Sequence, residues 1–89
     1  MNAIITVVGS DKVGIIARVS GYLADQNINI IDISQTVLSG NFVMMMVVDL
    51  SSRVKTLEDV KQELAEMGES FNVSISMMHE KVFSAMHRV

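Results

Sequence analysis

The run Gly9-Ser10-Asp11-Lys12-Val13-Gly14-Ile15 gathers the residues of this chain best suited to hold a small charged molecule. It follows the apolar stretch Ala3 to Val8 without a linker and leads straight into a helical pattern. Backbone N–H groups at a helix start lack intrahelical partners and suit a carboxylate. In that setting Asp11 can receive an amino group and Lys12 can support a carboxylate. Asn29, just beyond the first helical segment, carries a donor and an acceptor suited to the main-chain groups of an amino acid. A plainer reading stands beside this one. Gly9 and Gly14 permit a tight strand–helix turn, Asp11 caps the helix, and Asn29 bonds to local backbone. The run has neither the G-K-[ST] ending of a P-loop nor the GxGxxG fingerprint.

Other reactive side chains form no comparable group. His79 and His87 are eight residues apart, about 12 Å along one continuous helix, too far to share an ion within one chain. No metal site is expected. The eight methionines suit adaptable packing, and Met44, Met45 and Met46 alternate sides and cannot all face one ligand. Asp32 interrupts an isoleucine-rich strand and marks its solvent side or an interface. Serines are plentiful, but none has a histidine and an acid nearby in a recognisable order, so no enzyme and no cofactor are expected.

The elements that position these residues follow from periodicity. Ala3 to Val8 is β-branched and reads as a buried strand. Ile15, Ile16, Val19, Tyr22 and Leu23 form one stripe of a helix from about Lys12 to Gln26, ended by Gln26-Asn27. Ile28 to Leu38 and Phe42 to Leu50 read as a hairpin about the turn Ser39-Gly40-Asn41. Thr56-Leu57-Glu58-Asp59 resembles a capping box and opens a second helix to about Glu69, stopped near Gly68. Its acids Glu58, Asp59, Glu63, Glu66 and Glu69 suit a solvated face. Phe71 to Met78 alternates as a half-buried strand. Glu80 to His87 forms a short helix with Val82, Phe83 and Met86 inward.

The order β–α–β–β–α–β predicts an α+β, ferredoxin-like fold, an antiparallel four-stranded sheet with two helices on one face and the first and third strands central. The third strand is apolar on both sides: Phe42, Met44, Met46, Val48 and Leu50 on one, Val43, Met45 and Val47 on the other. With Ile5 and Val7 toward the helices, Ile4 and Val8 join the outward set. A patch of several such side chains can exceed the roughly 400 Å² that monomers tend to expose, and Thr6, Ser74 and Ser76 on the same face make it mixed and not purely apolar. A homodimer, or cover from the C-terminal tail, is the expected remedy.

Composition narrows the function classes. The 89 residues form one domain, residues 1–89, and 49% are apolar. Net charge is −3 and the seven basic residues are scattered, which argues against a nucleic-acid face. Cysteine is absent, so disulfides and thiolate zinc sites are excluded. No apolar run approaches the roughly 18 residues of a membrane span, and no basic segment precedes the first strand. A cytoplasmic protein without membrane or nucleic-acid partners is expected.

The run Gly9 to Ile15, followed by Ala24-Asp25-Gln26-Asn27-Ile28-Asn29-Ile30, resembles the ACT domain. The likeness covers essentially the whole chain, and its ending, His79 to Val89, is similar to small stand-alone ACT proteins. The resemblance implies a homodimer that binds an amino acid or similar effector at its interface and acts on a separate regulated partner. By it, Asp11, Gly14 and Asn29 are contact positions, and Val13 and Ile15 contribute backbone amides. Many members have proline where Val13 stands, which would stiffen the turn. Two alternatives share the scaffold: a ligand-free protein–protein adaptor and a small acylphosphatase-like enzyme. The latter needs an arginine in the first loop, where this chain has only Lys12.

Overall fold

The computed structural model describes residues 1–10 and 14–86. Four strands and three helices follow in the order β1 (Asn2–Gly9), α1 (Ile15–Asp25), β2 (Asn29–Leu38), β3 (Asn41–Asp49), α2 (Leu57–Phe71), β4 (Ser74–His79) and α3 (Glu80–Met86). The sheet runs β2-β3-β1-β4, so the two most apolar strands, β1 and β3, are central as expected. All three pairings are antiparallel.

Alternation along β1 and β3 sets the two faces. Ile5, Val7, Met44, Met46 and Val48 are fully buried on the helix side, where Ile15, Val19 and Leu23 of α1 and Val60 and Leu64 of α2 meet them. Each large apolar side chain buried there stabilises the fold by roughly 1.5–3 kcal/mol. The β2–β3 turn has positive φ at Ser39 (53°) and Gly40 (78°), a two-residue hairpin whose twist matches its strands.

Helix ends depart from the sequence reading. The N-cap of α1 is Gly14, in the left-handed region (φ 80°), so the helix begins at Ile15, later than the sequence reading. Asp11, the expected cap, lies outside the described residues. The exit matches expectation, with Gln26 as C-cap and Asn27 left-handed at φ 59°. In α2, Thr56 accepts from the Asp59 N–H at 3.2 Å, as a capping residue should. That helix passes through Gly68 and ends at Phe71, with Asn72 left-handed (φ 60°) as its terminator. Gly68 is buried because α2 lies tight on the chain entering β4. A Cβ there would stand 2.8 Å from the Val73 carbonyl oxygen. Consequently β4 starts at Ser74 and not at Phe71.

The C-terminal helix crosses the opposite side of the sheet. Phe83 of α3 lines a small cavity with Ile4, Asp32, Ser34, Met45 and Val47, all on that outer face. Ile4 is thereby buried, whereas Val8 stays 37% exposed. Val82 and Met86 are exposed, contrary to the inward stripe expected for them, and His87 lies outside the described residues. No helix among the described residues is long and apolar enough to cross a membrane.

Candidate ligand-binding site

The strand–helix junction is built around Gly14. Its positive φ favours glycine, and having no side chain it cannot cap the helix it precedes. The Arg18 N–H donates to the Gly14 carbonyl at 3.0 Å, the first helical bond of α1. The N–H groups at residues 14–17 precede that bond and have no intrahelical acceptor. Ile15 anchors the turn with a fully buried side chain, while Gly14 itself is exposed. Of the expected contact residues at this junction, Asp11, Lys12 and Val13 lie outside the described residues.

Phe71, at the end of α2, is a neighbour that sequence reasoning did not find. Its Cε1 lies 3.9 Å from the point where a Cβ on Gly14 would sit. Only the packing of α2 beside α1 brings it there, and no local signal foretells it. Its half-buried ring gives the junction an apolar wall.

Asn29 stands at the other end of the molecule. It opens β2 and pairs with Asp49, which pairs in turn with Asn2. Gly9, by contrast, pairs with Phe42, which pairs with Val37. The two rows are about 23 Å apart at ~3.3 Å per residue. Gly14 and Asn29 thus lie at opposite ends of α1 and do not meet within one chain.

The surroundings of Asn29 are polar and well tied. The Asp49 carboxylate accepts from the Ser51 hydroxyl at 2.6 Å and the Ser51 N–H at 3.0 Å, which hold its carboxyl below the usual aspartate range. Asn27 donates from Nδ2 to the Ser52 carbonyl at 3.0 Å, and the Val54 N–H donates to the Gln26 carbonyl at 3.1 Å. These bonds fasten the exit of α1 to the loop after β3.

His79 is engaged in helix capping. Its Nδ1 accepts from the Lys81 N–H at 3.0 Å. Among the described residues no three His, Asp or Glu side chains come together as metal ligands. A shallow groove of about 300 Å³ between the helices is lined by Ala17, Arg18, Gly21, Tyr22, Asp25 and Met67, and neither Gly14 nor Asn29 reaches it.

The ACT domain family model matches residues 2–78. This chain belongs to the ACT domain family. A UPF0237 protein of Listeria monocytogenes serovar 1/2a is 49% identical over 89 residues, covering all of both chains. A UPF0237 protein of the archaeon Methanopyrus kandleri is 47% identical over 87 residues, 98% of this chain and 97% of its own. Among solved structures, an ACT domain protein from Streptococcus pneumoniae superimposes with a TM-score of 0.82 at 46% identity, covering 98% of each chain. A formyltetrahydrofolate deformylase from Pseudomonas syringae pv. tomato has a TM-score of 0.77 at 24% identity, over 86% of this chain and 26% of that one. That second likeness concerns the fold alone.

Proposed function

We propose that this ACT domain is a regulatory module that binds an amino acid or similar small effector as a homodimer and acts on a separate partner protein. The observation that carries the reading is the separation of Gly14 from Asn29. One small ligand touches both only if two chains supply them. The edge strand β2 offers the joint. It is exposed along most of its length and presents apolar Ile31, Ile33, Val37 and Leu38. Long apolar edges of this kind are templates for pairing with another chain.

Antiparallel β2–β2 pairing about a two-fold axis sets the Asn29 end of each chain beside the Gly14 end of the other. In the cleft so formed, the amides of Val13 and Ile15 hold the effector carboxylate, with Lys12 beside it. Asp11 receives the ammonium, and Asn29 of the partner subunit bonds the remaining main-chain groups. Calorimetric titration of the protein with the standard amino acids tests this. One amino acid should release heat with the wild type and at least tenfold less with Asp11→Ala. No heat with any of them overturns the reading.

A further inference from the structure

Asp32 takes no part in the effector cleft, yet β2 departs from regular pairing to place it. Ile30 pairs with Val48, but the next pair is Asp32 with Val47, and Ile31 between them is left over. That extra residue bulges out and is 53% exposed. In unbroken register Asp32 would oppose Met46, which is fully buried beneath the helices. The slip turns its carboxylate to the outer face beside Val47, and alternation sets Ser34 beside Met45 on that same face. Bulges commonly re-aim a side chain in this way at functional sites.

The re-aimed carboxylate meets the cavity between α3 and the sheet. Ile4, Met45, Val47 and Phe83 give that cavity apolar walls, and Asp32 and Ser34 are its polar lining. Its volume is about 180 Å³. A dry apolar cavity of roughly 150 Å³ takes a molecule the size of benzene. No basic residue lines it, and among the described residues Asp32 makes no ion pair. The carboxylate accepts the Ile33 N–H at 2.9 Å and keeps acceptor capacity to spare. An apolar hollow with one unpaired anion at its exposed rim suits a cation with a short apolar tail. We propose that this cavity is a second ligand site, for a small apolar amine whose tail lies against Phe83 and whose ammonium is held by Asp32 and Ser34. An amino acid fits poorly here. Its carboxylate, one carbon from the ammonium, would face Asp32 with no cation to receive it. The ligand class is therefore the amine left when an apolar amino acid loses its carboxylate.

The site lies on the opposite face of the sheet from the helices and does not depend on the effector cleft. Titration of the full chain with isoamylamine, followed by methyl NMR, tests it. Signals of Ile4, Met45 and Val47 should shift and saturate. Asp32→Asn retains a side-chain oxygen to accept the Ile33 N–H and should weaken the amine at least tenfold. Isoamyl alcohol has the same tail without the charge. It should bind the wild type at least tenfold more weakly than the amine does, and the Asp32→Asn variant no worse than the wild type. The absence of saturable shifts at these three residues overturns the proposal. Equal amine binding by Asp32→Asn, or an alcohol that binds as well as the amine, overturns it too. Shifts confined to Ile15 would place the amine at the Gly14 junction and likewise remove the second site.

Discussion

Tyr22 on α1 donates its hydroxyl to Oε1 of Glu63 on α2 at 2.6 Å. Lys55 reaches the other carboxylate oxygen, Oε2, at 2.5 Å. The bond from Lys55, followed by that from Tyr22, lowers the Glu63 carboxyl below its usual range. Burial, reinforced by Glu63, pushes the Tyr22 phenol up. The bond to Glu63 raises Lys55 as well.

These directions fix a pH profile. A depressed Glu63 contributes stability that is present above the unfolded glutamate value, near 4.3, and is lost as pH falls through its folded value. Raised Tyr22 and Lys55 contribute stability present below their unfolded values, near 10, and lost as pH rises through their folded ones. Thermal midpoints should therefore be flat between about pH 5 and 9 and fall on either side. Tyr22→Phe should lower the neutral midpoint by on the order of 5 °C and flatten the acid limb. An acid limb unchanged in that variant removes the coupling.

Gly68→Ala should destabilise the protein although alanine is the better helix former. Its Cβ would press the Val73 carbonyl oxygen and the Ile75 side chain, and backbone must move. Overpacking of this kind costs roughly 1–3 kcal/mol. Urea unfolding measures it directly. A gain in stability would mean that the α2–β4 contact is looser than described.

Met45 and Met46 are neighbours in sequence with opposite fates. Met46 is fully buried under the helices, and Met45 is half-buried on the outer face. Met46→Ala should cost roughly 2–5 kcal/mol by opening a cavity. Met45→Ala should cost less than half of that in unfolding at low protein concentration. Equal losses in denaturant titrations would contradict the face assignment.

Strand order, the two-sided character of β3, the Ser39-Gly40 turn and the Thr56 cap were all legible in the sequence, because each rests on alternation or on local turn chemistry. The helix ends were less so. A polar residue ahead of an apolar stripe reads as a cap, which favours Asp11, yet the left-handed Gly14 comes last before the helix. Gly68 reads as a stop because a terminating glycine and a close-contact glycine look alike in sequence. The contact with Val73 that distinguishes them is tertiary. For the site, Asn29 was visible as a polar residue at a strand start, but Phe71 beside Gly14 depends on helix packing alone. That Gly14 and Asn29 are far apart follows from the helix between them, a constraint that residue types do not express.

The shared-cleft arrangement makes a prediction that no single-chain site can imitate. If each cleft combines Asp11 of one chain with Asn29 of the other, Asp11→Ala and Asn29→Ala should each abolish effector binding in the pure protein. Mixed and allowed to exchange subunits, half of the pairs are heterodimers at equal stoichiometry. In each heterodimer one cleft receives both altered residues and the other receives none. Binding should then return to about a quarter of the wild-type site number, with wild-type affinity, as the chains re-pair. Calorimetry before and after subunit exchange reads the recovery. A mixture that stays silent after exchange, shown complete by mass spectrometry of the native dimers, would place both residues in one chain's site or in none.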